Sequence, residues 1–94
     1  MTTDIEYQPF AGIIDQALAE RRNGRADMTL DSNHRVPGYV VKLCERLANA
    51  LVDRGHTGVT LEQLLRVERT CTGADYASKL AMRVDRLSKI RPSE

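Results

Sequence analysis

The sequence lacks the features that mark a membrane-spanning or exported chain. Its longest run without a charged residue is far below the roughly 18 residues that a spanning helix needs. Its first residues, MTTDIEY, carry acidic side chains where a signal peptide would carry basic and apolar ones. We therefore expect no spanning helix and a cytoplasmic location.

Cysteine, histidine and glycine are too few or too scattered for the common catalytic and metal-binding motifs. Two cysteines and two histidines are the only soft metal ligands, and none form the close pairs of a zinc site. The six glycines occur singly, so there is no glycine-rich phosphate loop. Cys44 and Cys71 lie on apolar helix faces, which is typical of reduced core thiols. We therefore predict no enzyme activity, no metal and no cofactor.

Length and composition predict one small globular domain. The 94 residues are 41% apolar and 29% charged, which is the balance of an ordinary globular protein. A chain of this length buries only about 60 to 65% of the surface that it exposes when unfolded. We therefore predict a single helical domain over 1–94.

Apolar periodicity predicts an all-α bundle of about four helices around the second one. From Tyr39 to Val52, apolar residues cover about 220° of a helical projection, which is too wide for a surface helix. This central helix, over 36–54, should be covered on two sides. The other helices are predicted over 9–22, 61–71 and 74–90. The predicted core is Phe10, Ile14, Leu18, Val40, Leu43, Cys44, Leu47, Leu51, Leu61, Leu64, Leu65, Leu80, Val84 and Leu87.

The remaining segments are predicted to be extended or irregular. Residues 1–8 should form an extended arm, because Pro9 biases the preceding residue away from the helical backbone. Residues 24–35 should form a long polar loop, since they have no helical stripe and contain several turn-forming residues. Residues 91–94 form a tail beyond the fourth helix. No substantial sheet is expected.

One face of the fourth helix is basic. Lys79, Arg83, Arg86 and Lys89 fall within an arc of about 120° that points away from the apolar stripe. From residue 76 onward there are five basic residues and two acids, whereas residues 1–30 hold five acids and three basic residues. Such polarised charge is an argument about partners. We take these four residues as the first candidate contacts.

The polar loop and the third helix supply secondary candidates. A compact domain rarely has a structureless connection of this length unless the connection is mobile or functional. The alternative is a spacer that lets the second helix cross the core. The secondary candidates are Arg66, Arg69, Arg25, Asp27, Asp31, Asn33 and Arg35.

Two binding functions fit these patterns. In the first, the chain is an adaptor or inhibitor that docks on another protein or a nucleoprotein complex through the basic helix face, as small proteins of phages and other mobile elements do. In the second, helices 61–71 and 74–90 form a helix-turn-helix that places the later helix in the DNA major groove. The pI of about 7.8 favours the first, as do Asp75 and Asp85, which would lie near phosphates in the second. A third hypothesis is a homodimer formed through the second helix.

Overall fold

A computed structural model describes the backbone of residues 3–88 and the side chains of residues 10–88. Within these bounds the chain forms four helices, α1 (Thr3–Arg22), α2 (Gly38–Asp53), α3 (Leu61–Arg69) and α4 (Tyr76–Ser88). Between α1 and α2, the two-residue strands β1 (Leu30–Asp31) and β2 (Val36–Pro37) pair in antiparallel fashion. The prediction of a small all-α domain is confirmed, with this short hairpin added where a polar loop was expected. The predicted tail over 91–94 lies outside the described residues.

The first helix is longer than the sequence predicts. It begins at Thr3, so the prediction of an extended arm over 1–8 is wrong from residue 3 onward, and Pro9 lies inside the helix rather than in its first turn. The fixed φ of proline is compatible with a helix. Proline has no N–H, so the carbonyl four residues earlier loses a hydrogen bond, and this loss is what Pro9 costs the helix. The extended preference of the residue before proline is a tendency, which the helix overrides here.

Two helix ends have caps formed by residues close to them in the sequence. At the end of α1, Gly24 has a φ of +73°, and the N–H of Arg25 donates to the carbonyl of Glu20 at 2.8 Å, which is a Schellman arrangement. At the start of α3, the N–H of Gln63 donates to the Thr60 hydroxyl at 3.2 Å, and the N–H of Thr60 donates to the Gln63 side chain at 2.8 Å. This reciprocal pair is a capping box. It fixes where α3 begins.

The core has α2 at its centre. This helix packs against α1, α3 and both strands, while α4 packs against α1 and α3. The contacts explain the wide apolar arc of α2, because neighbours cover it on several sides. The buried apolar residues are Phe10, Ile14, Ala17, Val40, Leu43, Cys44, Leu47, Leu51, Leu64, Leu65, Cys71, Leu80, Ala81 and Val84. Three residues predicted in the core, Leu18, Leu61 and Leu87, are half-buried and pack against its edge.

No helix among residues 3–88 is both long enough and apolar enough to cross a membrane.

Candidate functional site

The tip of the hairpin is a closed turn organised by Asp31. Its Oδ1 accepts the backbone N–H of Asn33 at 2.9 Å and that of His34 at 3.1 Å. Its carbonyl accepts the N–H of Arg35 at 2.6 Å. An aspartate that bonds to the backbone two and three residues ahead stabilises a turn without help from a sheet. The half-buried Asp31 therefore shapes the turn, and the turn presents Asn33 and Arg35 outward.

The base of the hairpin is held by Asp27. Its Oδ1 accepts the N–H of Thr29 at 3.0 Å, and its carbonyl accepts the N–H of Tyr39 at 2.8 Å. The Thr29 backbone, then the Thr29 hydroxyl and the charge of Lys42, hold the pKa of the Asp27 carboxyl below its ordinary value. A side chain at Gly38 would meet the Asp27 carboxylate, because the new Cβ would lie 2.9 Å from the Cγ of Asp27. Both hairpin aspartates thus have structural contacts.

A polar depression forms where this hairpin meets α3. Its volume is about 270 Å³, and it is lined by Asn33, His34, Arg35, Glu62, Leu65, Arg66 and Arg69. A guanidinium N–H of Arg69 donates to the carbonyl of His34 at 3.3 Å, which joins the helix to the turn. His34 Nδ1 lies 3.2 Å from Glu62 Oε2. We call this site, with Arg35, Arg66 and Arg69 as its cations, the arginine depression.

The charge of the arginine depression is not balanced locally. Among the described residues that line it, Glu62 is the one acidic residue, and it is engaged by His34. In the part of the chain that the structure describes, none of the three arginines has a carboxylate oxygen within 4.0 Å. Uncompensated charge in a concave surface concentrates the field and attracts anions. The arrangement therefore favours binding of an anionic group.

Arg35 is held in a backbone conformation that costs energy. Its φ is +59°, the left-handed region that glycine adopts without a Cβ penalty. For an L-residue the penalty is of order 1 to 2 kcal/mol. Non-glycine residues in such conformations cluster at functional sites. An exposed arginine at this position therefore supports a role for its side chain in binding.

The predicted basic face of α4 does not form one exposed surface. Arg86 is exposed, but Lys79 and Arg83 are half-buried. The Lys79 ammonium lies 3.5 Å from the carbonyl of Thr72, and a guanidinium N–H of Arg83 donates to the Thr70 hydroxyl. Lys89, the fourth member of the predicted face, lies outside the described residues. Arg83 contacts the residue that directly follows Arg69 in the chain.

The outward strip of α4 is narrow. Ser78, Met82 and Arg86 are its exposed residues, and Arg86 is the only basic one among them. Asp85, which the DNA-binding hypothesis placed near phosphates, is 3% exposed and faces the interior. That expectation is wrong, because Asp85 follows Val84 on the side of the helix that packs in the core.

The connection between α3 and α4 is six residues long, from 70 to 75.

Arg25, the remaining candidate, lies in a different depression of about 320 Å³ between the end of α1 and α2. Its cations, Arg25, Lys42 and Arg46, are accompanied by the carboxylates of Glu20 and Asp27. The charge there is nearly balanced. We therefore regard this surface as a weaker candidate than the arginine depression.

The two cysteines are both buried. Cys44 is 0% exposed, and burial, with smaller effects of Glu68 and Glu45, raises the pKa of its thiol to about 12. Cys71 is 3% exposed and donates to the carbonyl of Val67 at 3.4 Å. A protonated, buried thiol is a poor nucleophile. Among the described residues, no group of three or more His, Cys, Asp and Glu side chains is placed to hold a metal ion.

No protein-family model, curated protein or solved structure matches this chain. Sequence reasoning identified Arg35, Arg66 and Arg69 only as secondary candidates, and it did not identify His34 or Glu62. The one local signal was the spacing of Arg66 and Arg69, which places both on one side of a helix.

Proposed function

We propose that this protein is a small, non-enzymatic, cytoplasmic binding protein, an adaptor or inhibitor that docks on an acidic surface of another protein or of a nucleoprotein complex. The observation that carries the proposal is the convergence of Arg35, Arg66 and Arg69 on one depression, without a carboxylate partner among the described residues. Arginine is enriched at the centres of interfaces, because its planar, weakly hydrated guanidinium makes several directed hydrogen bonds.

The contact surface extends from the arginine depression towards α4. Arg83 reaches Thr70, the residue after Arg69, and Arg86 is exposed one turn farther along α4. Met82 on the outward strip of α4 is 40% exposed. An interface that combines arginines with an apolar contact is typical of protein partners.

The geometry of α4 supports a protein partner over helix-turn-helix binding of DNA. A recognition helix presents several side chains to base edges and meets phosphates with basic flanks. Here the outward strip of α4 has one basic residue, and Asp75 is exposed near its start. The six-residue connection is also longer than the three or four residues typical of that motif.

The test compares two variants that change the net charge equally. In the depression variant, Arg35, Arg66 and Arg69 are replaced by Gln. In the control variant, Arg22, Arg25 and Arg46, which are exposed elsewhere, are replaced by Gln. Tagged parent and variants are used to capture partners from lysate of the source cell, with and without nuclease.

We expect the parent and the control variant to retain one protein partner after nuclease treatment, and the depression variant to lose it. Removing an arginine from an interface centre costs about 2 kcal/mol or more, and since such costs are not additive, affinity for that partner should fall at least about 100-fold. Equal capture by both variants would contradict the proposal. Recovery of nucleic acid in place of a protein would favour the helix-turn-helix function instead.

A further inference from the structure

The arginine depression offers more positive charge and more donors than one carboxylate can use. Each guanidinium has five N–H donors in a planar fork, and only Arg69 uses one of them on a neighbouring carbonyl. The guanidinium groups of Arg35 and Arg66 make no hydrogen bond and no ion pair within the described residues. A carboxylate presents two oxygens and one negative charge. It would therefore leave at least one of the three arginines unneutralised.

A phosphate monoester fits this set of donors better. Near neutral pH it carries about −1.5 to −2 charges and presents three strong acceptor oxygens. Clusters of arginines recognise phosphorylated side chains for this reason, because each fork can bond to a different oxygen. Arg35 lies in the turn, and Arg66 and Arg69 lie three residues apart on one side of α3. The three cations thus approach the depression from two elements.

We infer that the arginine depression binds a single dianionic phosphate monoester, carried by a phosphorylated side chain of the partner protein. The inference rests on the proposed function for the statement that the partner is a protein. It adds the chemical group that the partner presents.

A nucleic-acid backbone suits the site less well. Its phosphates are monoanionic diesters in a continuous row, and proteins that bind them provide a basic groove or stripe. Here the cations converge on one depression of about 270 Å³. The side chain of Glu62, which is 68% exposed, lies in its lining, where it would repel the next phosphate of a row.

Replacing Glu62 provides a test in which binding of phosphate by the depression should become stronger. Glu62→Gln removes the only negative charge from the lining and leaves the hydrogen bonds between Asp31 and the turn in place. If the depression binds a dianion, this change should strengthen binding about threefold or more, since it removes like-charge repulsion. A purely structural role of these residues predicts no such increase.

The experiment is a titration of the whole protein, labelled with ¹⁵N and followed by NMR at fixed low salt. The probes are inorganic phosphate, a short peptide containing phosphoserine, the same peptide with glutamate at that position, and a dinucleotide with one phosphodiester. We expect the phosphoserine peptide to bind at least tenfold more tightly than the glutamate peptide and the dinucleotide. Chemical-shift changes should be confined to residues 33–35 and 62–69. Inorganic phosphate should displace the phosphopeptide and shift the same signals.

The variants complete the test. Arg66→Gln and Arg69→Gln should each weaken phosphopeptide binding at least tenfold, whereas Arg46→Gln, in the other depression, should leave it unchanged. Both Arg66 and Arg46 are exposed, so the folded spectrum should persist in each. Equal affinity for the glutamate peptide, tighter binding of the dinucleotide, or absence of shifts up to millimolar phosphopeptide would each overturn the inference. If one of these occurs while the depression variant still loses its captured protein, the proposed function stands and the phosphate inference fails.

Discussion

Cys44 should make the stability of this protein fall as the pH rises above 9. Burial in α2 raises the pKa of its thiol from an ordinary value of 9.0 to about 12. The unfolded state loses this proton at a lower pH than the folded state does. The stabilisation is therefore complete below pH 9 and is lost as the pH rises from 9 towards 12.

The size of this loss follows from the two pKa values. One group contributes at most about 1.4 kcal/mol per pH unit. Between pH 8 and pH 10 the unfolded thiol goes from about one-tenth to about nine-tenths ionised, while the folded thiol keeps its proton, so the free energy of unfolding should fall by about 1.4 kcal/mol. The limiting loss above pH 12 is about 4 kcal/mol. Burial also raises the pKa of Tyr76, but its contribution begins near pH 10.

The assay is urea unfolding, followed by circular dichroism at pH 8, 9 and 10, for the parent and for Cys44→Ala. At pH 8 the variant should be less stable than the parent, because it leaves a small cavity. Its loss of stability between pH 8 and pH 10 should nevertheless be smaller than that of the parent by about 1.4 kcal/mol. Equal losses in the two proteins would refute the reasoning. Rapid reaction of Cys44 with a thiol reagent in the folded protein at pH 8 would refute it as well.

Three further substitutions test local contacts through the free energy of unfolding. Gly38→Ala should destabilise the protein by about 0.5 to 1.5 kcal/mol, because the new methyl group displaces the carboxylate of Asp27 that accepts the N–H of Thr29. Gly12→Ala, in α1 with no atom within 4 Å of the new Cβ, should stabilise by about 0.5 to 1 kcal/mol. If the two glycine variants shift stability in the same direction, the assigned contacts are wrong. Tyr76→Phe removes the hydroxyl that donates to Glu68 at 2.8 Å, and it should cost about 1 to 3 kcal/mol. A cost below about 0.5 kcal/mol would show that this bond contributes little.

The helices and their caps are predictable from the sequence because they depend on local spacing. The apolar repeat in α2 indicates both its length and its coverage, and the spacing of Thr60 and Gln63 places the start of α3. The start of α1 is harder to predict. It depends on whether a longer helix can tolerate the loss of the backbone hydrogen bond that Pro9, without an N–H, cannot donate. The hairpin is harder still, because its strands are only two residues long and their pairing depends on Asp27 and Asp31.

The candidate site is less predictable than the fold, since it joins residues that are distant in the chain. The hydrogen bond between Arg69 and His34 spans 35 positions, and no periodicity relates the two. The helical projection of α4 gave the directions of Lys79 and Arg83 but not their acceptors, which are supplied by the connection at Thr72 and Thr70. Long, flexible basic side chains bend towards nearby hydrogen-bond acceptors. Their exposure therefore depends on tertiary contacts.

The most direct test of the proposed function is the dissociation constant of the captured partner, measured for the parent, for the depression variant and for the control variant at one salt concentration. The account predicts a loss of at least about 100-fold when Arg35, Arg66 and Arg69 are replaced, and a change of less than about threefold for the control of equal charge. Equal dissociation constants for the two variants would contradict it, because binding would then depend on net charge and not on the arginine depression.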